Sequence, residues 1–309
     1  MTLTVLKPGL LTTVQDLGRP HAAASGVTPG GAMDRFAHSA ANLLAGNDRS
    51  AATLECTIAG PTLAADSPCV LAVTGADLDA RVNGEPAPAW TSFSMRPGDQ
   101  LSFAGRRTGA RAYVAVAGGI VAGRWLGSMS TDLMVGRGGV EGRALRRGDV
   151  LAIGEAPPLS PGRTLAPELR PAYGERTLRA IAGPQADRLS AASRAEVFGA
   201  TFIVSSSSNR MGFRLDGPVL EAAGDELLSF HVVAGAVQLP AGGRPILLMA
   251  AHQTAGGYPV VAVVVSASMP MAAQLAPGDE LRFEEVAMDH ALAMRAAQRE
   301  ALESLISWM

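Results

Sequence analysis

Three stretches of this chain set amide, carboxylate, guanidinium and hydroxyl groups among glycines, where a packed core has use for neither. The first runs from Thr12 through Gln15, Asp16, Gly18, Arg19 and Pro20, and continues by Ser25-Gly26-Val27 to Gly31-Ala32-Met33-Asp34. Gln15, Asp16 and Arg19 supply an amide, a carboxylate and a carboxylate-binding fork within one turn of chain. The same groups also suit a turn closed by its own side-chain hydrogen bonds. The second stretch, Gly127-Ser128-Met129-Ser130-Thr131-Asp132-Leu133 followed by Gly136-Arg137-Gly138-Gly139, clusters backbone donors and hydroxyls that can hold an anion or simply shape a loop. The third joins Gln238-Leu239-Pro240 to His252-Gln253-Thr254-Ala255-Gly256-Gly257-Tyr258-Pro259. There the paired glycines permit close backbone approach to a ligand, and His252, Gln253, Thr254 and Tyr258 stand beside them. Arg210, within Ser208-Asn209-Arg210-Met211-Gly212, is a further candidate for ligand binding or for plain surface charge.

The residues that are missing narrow the chemistry. Lys7 is the only lysine, so there is no Gly-x-x-x-x-Gly-Lys-Ser/Thr phosphate loop, no interior lysine for a Schiff base, and no site for covalently bound biotin. Glu141 stands where a dinucleotide fingerprint needs its third glycine. Cys56 and Cys69 form no Cys-x-x-Cys pair and the five histidines show no His-x-x-x-His spacing, so no metal site is expected. A Gly-x-Ser-x-Gly elbow is absent, which disfavours covalent serine catalysis. A net charge of −2 provides no basic field for nucleic acid. Residues 245–278 carry no charge, but glycines and prolines break the run into a buried strand at 260–265, so no membrane partner is expected. The N-terminus lacks a secretory pattern, and a cytoplasmic location is expected.

The elements that must position these groups are mostly short strands. Of 309 residues, 35 are glycine and 20 proline, and 48% are hydrophobic against 17% charged, a composition for a buried core crossed by many turns. The clearest strands are 70–73, 113–116, 201–204, 246–249 and 260–265, and Asn83-Gly84 marks a tight hairpin. Helices are expected over 34–45, capped by Gly46, over 190–198, and in the tail from about 289 to 309, with Leu302, Leu305, Ile306 and Met309 on its packed face. Pro97-Gly98-Asp99-Gln100-Leu101-Ser102-Phe103 is echoed by Pro277-Gly278-Asp279-Glu280-Leu281-Arg282-Phe283 and, more weakly, by Arg147-Gly148-Asp149-Val150-Leu151. Gly60-Pro61-Thr62-Leu63 matches Gly217-Pro218-Val219-Leu220 in the same way. The reading is a mainly β chain of two related modules, 1–156 and 172–286, joined by a proline-rich linker over 157–171 and closed by a C-terminal helix over 287–309.

Leu11 to Pro20, Gly31 to Asp34, Ala41 to Asn47, Ala117 to Ile120, Gly127 to Leu133, Gly183-Pro184-Gln185, Asn209 to Gly212 and Gln253 to Pro259 together resemble the family of 5-oxoprolinase C subunits, also called the biotin-dependent carboxyltransferase A/B domain or allophanate hydrolase subunit 2-like family. The resemblance runs in order along nearly the whole chain. It implies two cyclophilin-like β-barrel modules. It also implies work with the B subunit of 5-oxoprolinase, and more loosely with its A subunit, in the ATP-dependent opening of 5-oxoproline to glutamate, with ATP as co-substrate. Other branches imply half of a carboxyltransferase that moves CO₂ from carboxybiotin to urea, or a non-catalytic regulator that binds a kinase-inhibitor-like B subunit. Relatives often carry Asp at the position of Ala251, Thr at Ala255, Arg at Met129 and a basic residue at Val260.

Both enzymatic branches act on an amide, and a small amide or lactam substrate suits a pocket of Gln, Asp and Arg. The expected site brings Gln15, Asp16, Arg19 and Asp34 together with Gln238, His252, Gln253 and Tyr258. Asp16, Asp34 and His252 are the expected catalytic residues, with Asp16 serving as the acid/base or amide-orienting group. Gln15, Arg19, Gln238, Gln253, Thr254, Gly256, Gly257, Tyr258 and Arg210 are expected to bind substrate, Arg19 as a fork for carboxylate or phosphate.

Overall fold

A computed structural model describes residues 1–156, 160–224 and 227–306. The chain divides into two compact units. Unit 1 comprises Met1–Arg19, Gly30–Pro171 and Arg299–Met309, and unit 2 comprises Pro20–Pro29 and Ala172–Gln298.

Unit 1 holds β1 (Thr2–Lys7), β2 (Leu11–Gln15), α1 (Arg35–Leu44), β3 (Thr53–Thr57), β4 (Thr62–Ala65), β5 (Cys69–Asp77), β6 (Ala80–Val82), β7 (Glu85–Pro86), β8 (Ser92–Met95), β9 (Gln100–Phe103), β10 (Thr108–Val116), β11 (Ile120–Val121) and β12 (Val150–Ile153). They form two sheets, ordered β11-β12-β1-β4-β9-β6-β7 and β2-β3-β10-β5-β8. Leu3, Val5, Leu63, Leu101 and Leu151 of the first sheet share one core with Val14, Leu54, Leu71, Val73 and Val114 of the second. β1 alternates buried and half-buried residues, as a strand with one face in a core must. β10 is buried along almost its whole length because α1 packs over β5 and β10 on the other side of their sheet. The expected hairpin stands at β6–β7, with Asn83 and Gly84 at φ 52 and 88.

Unit 2 holds β13 (Thr177–Ala182), α2 (Ala191–Gly199), β14 (Phe202–Val204), β15 (Gly212–Asp216), β16 (Phe230–His231), β17 (Ala236–Gln238), β18 (Ile246–Leu248), β19 (Ala255–Gly256), β20 (Val260–Val264), α3 (Met269–Ala273) and β21 (Glu280–Glu285), and most of α4 (Met288–Glu303). Seven of its strands close a barrel in the order β13-β20-β17-β18-β15-β14-β21, sealed by the parallel pair β13–β21. β16 and β19 form a separate ribbon. The mainly β class with few short helices and a C-terminal helix is what the sequence led us to expect. Barrel closure is seen in unit 2, whereas the strands of unit 1 lie in two sheets around their core.

The repeated Gly-Asp motif is one physical device used three times. Gly98, Gly148 and Gly278 sit at φ 89, 90 and 87, a region that glycine enters without a Cβ clash. The aspartate that follows each one accepts the backbone N–H three residues earlier, from Arg96, Arg146 and Ala276, at 2.7, 2.7 and 2.9 Å. Each turn then launches a strand, β9, β12 or β21, whose leucines Leu101, Leu151 and Leu281 enter a core.

Between the modules, Ser160 onward packs as part of unit 1: Ser92 donates its N–H to Arg163, and Leu165 is buried after donating its N–H to Trp90. The expected linker begins at 157, and its first three residues lie outside the described ones. The tail differs in one respect from expectation. α4 stops at Glu303, so Leu305 is buried and Leu302 half-buried while Ile306 leaves the helical register and stays 46% exposed. Met309 lies outside the described residues.

Candidate functional site

The first polar cluster forms where β2 ends. β2 pairs along β3 and delivers Asp16 just past Gln15. Thr131 donates its N–H and its hydroxyl to the Val14 carbonyl, at 2.9 and 3.0 Å, which lays the 127–132 segment against the end of β2. Asp16 is 9% exposed. Its Oδ1 accepts from the Gly18 N–H, the Ser128 hydroxyl and the Ser130 hydroxyl at 2.7, 2.7 and 2.6 Å, and its Oδ2 accepts from the Met129 N–H at 2.6 Å. Burial alone pushes this carboxyl up. The hydrogen bonds from Ser130, Ser128, Gly18 and Met129 outweigh burial and hold it below the usual carboxylate range. Asp16 is therefore an anion at neutral pH, suited to accept an N–H and poorly suited to supply a proton.

A cavity of about 270 Å³ opens beside it, lined by Asp16, Gly18, Asp48, Ser50, Arg124 and Met129. Asp48 lies below the usual range as well, because the Ser50 hydroxyl and backbone N–H both donate to it. Arg19 flanks the same loop but is wholly buried. Its Nη2 donates to the Ser130 carbonyl, its Nη1 lies 3.6 Å from Asp132 Oδ2, and its guanidinium stacks 4.7 Å from the centre of the Trp125 ring. Burial lowers its pKa, while the charges of Asp132 and Asp16 favour the cation. Among the described residues, Nε and Nη1 find no hydrogen-bond acceptor.

Under Asp16 lies a layer that fixes the loop. Gln15 donates to Thr13 Oγ1 and to the Thr131 carbonyl at 3.0 and 3.3 Å, leaving its own buried Oε1 without a donor among the described residues. Ala32 donates its N–H to the Asp16 carbonyl. Asp34, expected to be catalytic, is fully buried and is the N-cap of α1: its Oδ1 accepts the Ala37 N–H at 2.9 Å. Its own N–H donates to the Tyr113 hydroxyl, which donates to Glu55, and Glu55 also accepts the Met33 N–H, each at 2.8 Å. This arrangement makes Asp34 a helix cap, and it is not among the residues that line the cavity. His38 lies in the same layer, 2.9 Å from Thr53 Oγ1, and complete burial lowers its pKa to about 4.

The second polar cluster is built wholly within unit 2. Gln238 ends β17 and is 1% exposed, and its Oε1 accepts from Gln253 Nε2 at 2.9 Å. Its Nε2 has no acceptor among the described residues. That nitrogen sits where a side chain on Gly256 would begin, 2.8 Å from the place of a Cβ. His252 is buried and its Nδ1 donates to the Gln253 carbonyl at 2.7 Å, which leaves the lone pair on Nε2. Burial lowers its pKa, the hydrogen bond to Gln253 opposes this, and His231 adds to the lowering. Thr254, Gly256 and Gly257 are half-buried, and Tyr258 stands 49% exposed at the rim. The Arg210 carbonyl accepts the Ala251 N–H, so that turn borders the same segment.

Of the expected residues, Gln15, Asp16 and Arg19 gather in unit 1, and Gln238, His252, Gln253 and Gly256 in unit 2. Ser128, Ser130, Asp48 and Trp125 were not among the chosen candidates, although the Ser-x-Ser after Gly127 was a visible signal. Among the described residues, no group of His, Cys, Asp or Glu could hold a metal, and no helix is long and apolar enough to cross a membrane.

Against this geometry stand the similarities to known proteins. Residues 25–285 match the carboxyltransferase domain, subdomain A and B, family. The chain is 39% identical over 306 residues to the C subunit of the Escherichia coli K12 5-oxoprolinase, covering 98% of this chain and 97% of that protein. It is 34% identical to the C subunit of the Haemophilus influenzae 5-oxoprolinase, covering 95% and 94%. The crystal structure of the Kluyveromyces lactis urea amidolyase superposes with a TM-score of 0.93 at 28% identity, over 98% of this chain and 20% of that one.

Proposed function

We propose, from the premise that this chain belongs to the carboxyltransferase subdomain A and B family, that it is one component of a cytoplasmic, ATP-dependent 5-oxoprolinase complex that opens 5-oxo-L-proline to L-glutamate. Its partners are the B subunit of that complex and, more loosely, the A subunit, and the chain is inactive alone. The observation that carries the proposal is end-to-end likeness to two 5-oxoprolinase C subunits of nearly the same length. The chemistry of the Asp16 cluster supports it. A lactam offers one N–H donor and one carbonyl acceptor, and an ionised, pinned carboxylate beside a cavity is a fixed acceptor for the N–H. In this reading Asp16 orients the amide at the first cluster. The second cluster, by itself, offers His252 as a base through its Nε2 lone pair, with Thr254, Gly257, Tyr258 and Arg210 as its binding groups.

ATP is a co-substrate of the complex in this proposal, but its phosphates are not assigned to Arg19. That guanidinium is wholly buried and directed at Ser130, Asp132 and Trp125, which does not fit a phosphate fork.

The test is reconstitution. The purified chain with its B and A partners should hydrolyse ATP only when 5-oxoproline is present, and should yield glutamate. Co-expression with the B partner should shift the chain to a larger species. A trio without 5-oxoproline-dependent hydrolysis refutes the enzymatic reading. The likeness to the urea amidolyase fold favours a second reading, a carboxyltransferase half-domain for urea or another amide. Neighbouring genes discriminate the two: those for the B and A partners support the oxoprolinase, and a biotin carboxylase with a carrier domain supports the carboxyltransferase. A chain that binds the B partner while no combination turns over substrate is the regulator.

A further inference from the structure

We propose that Arg124 is the carboxylate-recognising residue of the cavity beside Asp16, so that this cavity takes a small anionic amide, its N–H on Asp16 and its carboxylate on Arg124. The inference rests on the lactam reading of the same cavity and narrows it, since 5-oxoproline carries a carboxylate next to its ring N–H and urea carries none.

Asp16 and Arg124 both line this cavity of about 270 Å³, and every residue of its wall belongs to unit 1. That volume falls just short of the range of about 300–1,000 Å³ for pockets of drug-sized ligands, and it suits a smaller molecule. A carboxylate offers about four acceptor positions over its two oxygens. Oδ1 of Asp16 already meets three donors, whereas Oδ2 meets only the Met129 N–H at 2.6 Å among the described residues. Oδ2 is therefore the atom with an acceptor position left for a ligand N–H.

The acids of the cavity have cations of their own. Arg35 feels the charge of Asp16, and Asp48 that of Arg49. Arg124 has no such company: its side chain is exposed, its Nη1 donates to the Gly127 carbonyl at 3.2 Å, and among the described residues it forms no ion pair. Its place beside Asp16 is nevertheless fixed. Trp125 and Ser128 exchange backbone hydrogen bonds at 2.8 and 3.1 Å around a two-residue turn, with Leu126 and Gly127 at φ 48 and 78, as tight hairpin turns require. Ser128 and Met129, the next residues on the returning arm, both donate to the Asp16 carboxylate. The turn thus holds a free guanidinium fork next to a fixed N–H acceptor, and such a fork matches a carboxylate through two parallel hydrogen bonds. Arg19, where the sequence suggested that fork, is wholly buried.

The experiment uses the full-length chain labelled with ¹⁵N at its twelve methionines. The Met129 amide, assigned by its loss in Met129→Leu, reports on Asp16 Oδ2. The probes are 5-oxo-L-proline and 2-pyrrolidinone, the same lactam without the carboxylate. 5-Oxo-L-proline should shift the Met129 resonance saturably and bind more tightly than 2-pyrrolidinone. Arg124→Gln should weaken 5-oxo-L-proline by about tenfold or more and bring it level with 2-pyrrolidinone, and Arg124→Lys, which keeps the charge and loses the fork, should weaken it less. In the reconstituted complex Arg124→Gln should raise KM for 5-oxoproline by a similar factor, with a smaller change in kcat. Equal binding of the two probes to the native chain, or of 5-oxo-L-proline to the native chain and Arg124→Gln, overturns the assignment. If the chain alone shows no shift, KM in the complex decides, and an unchanged KM or a complex without turnover overturns it. Turnover with an unchanged KM in Arg124→Gln removes Arg124 and leaves the oxoprolinase reading. Binding that depends on Arg124 in a trio without turnover removes that reading and leaves the carboxylate site standing.

Discussion

The two polar clusters answer the same question, how to keep polar groups inside a β unit, in opposite ways. In unit 1 a full charge is buried and pinned, since Asp16 draws two backbone N–H groups and two hydroxyls onto one carboxylate. In unit 2 the groups are neutral and under-used, with Gln238 held by one hydrogen bond and His252 kept uncharged by burial. Among the described residues, each cluster also leaves one glutamine atom without a partner, an acceptor on Gln15 and a donor on Gln238. The contrast teaches what burial demands of a polar group. The Asp16 carboxylate is bound into the fold by four donors, and losing them would leave its charge uncompensated. An idle amide donor costs less, about 1–3 kcal/mol.

The hardest blow to that contrast is Asp16→Asn. Serine hydroxyls can rotate to meet an amide, but the N–H groups of Gly18 and Met129 are fixed and address different oxygens of the carboxylate. Whichever way the new amide is turned, its NH₂ faces one of them. The variant should lose about 3 kcal/mol of stability as well as all activity of the reconstituted complex. Chemical denaturation checks the first and glutamate release the second. An Asp16→Asn variant as stable as the native chain would mean that the cluster is not bound into the fold as described.

Next in size is an acid effect centred on His38 of unit 1. His38 has a folded pKa of about 4, well below the unfolded value near 6.5, because complete burial disfavours the cation. The unfolded chain therefore binds the extra proton first as pH falls. The contribution of neutral burial is fully present above about pH 6.5 and is lost between 6.5 and 4, about 3 kcal/mol in total. Denaturation between pH 7.5 and 4 should show this slope, and His38→Gln should flatten it. His252 is also lowered, by burial, and its replacement should remove less of the slope than that of His38.

Much of this architecture was legible from the residues. Helices begin after Asp34 and Ser190, where the sequence places them, and the Gly-Asp turns recur with the spacing of the sequence. Local chemistry writes those features, and a single chain displays it. The Asp16 site was only half legible, because Ser128 and Ser130 lie 112 and 114 residues away and reach it through sheet pairing rather than spacing. Asp34 was ambiguous for a related reason. A carboxylate near glycines reads alike as catalyst or helix cap, and only the contacts of Tyr113, Glu55 and Ala37 tell them apart. The end of α4 was missed because Leu302, Leu305 and Ile306 keep apolar spacing past the last helical residue.

A smaller effect tests how the charged side is held. Trp125 covers the Arg19 guanidinium, and a largely desolvated stack of this kind contributes about 1–2 kcal/mol. Trp125→Leu should lose about that amount, and Trp125→Phe should recover part of it in the same denaturation series. Equal losses in both would show that ring volume rather than the cation matters.

The smallest effect is expected where the contrast is sharpest. Gln238→Leu removes a buried amide whose donor has no acceptor among the described residues, so the desolvation penalty of that donor goes with it. What is lost is one neutral hydrogen bond from Gln253, about 1 kcal/mol net, and Gln253 is half-buried and can turn its NH₂ to water. The terms oppose one another, and the stability change should stay within about 0.5 kcal/mol, as for substitutions that disturb no satisfied network. Stability kept on losing a buried polar group is the inverse of Asp16→Asn. A loss of about 3 kcal/mol on Gln238→Leu, measured in that denaturation series, would place Gln238 among the structural groups and leave both clusters of one kind.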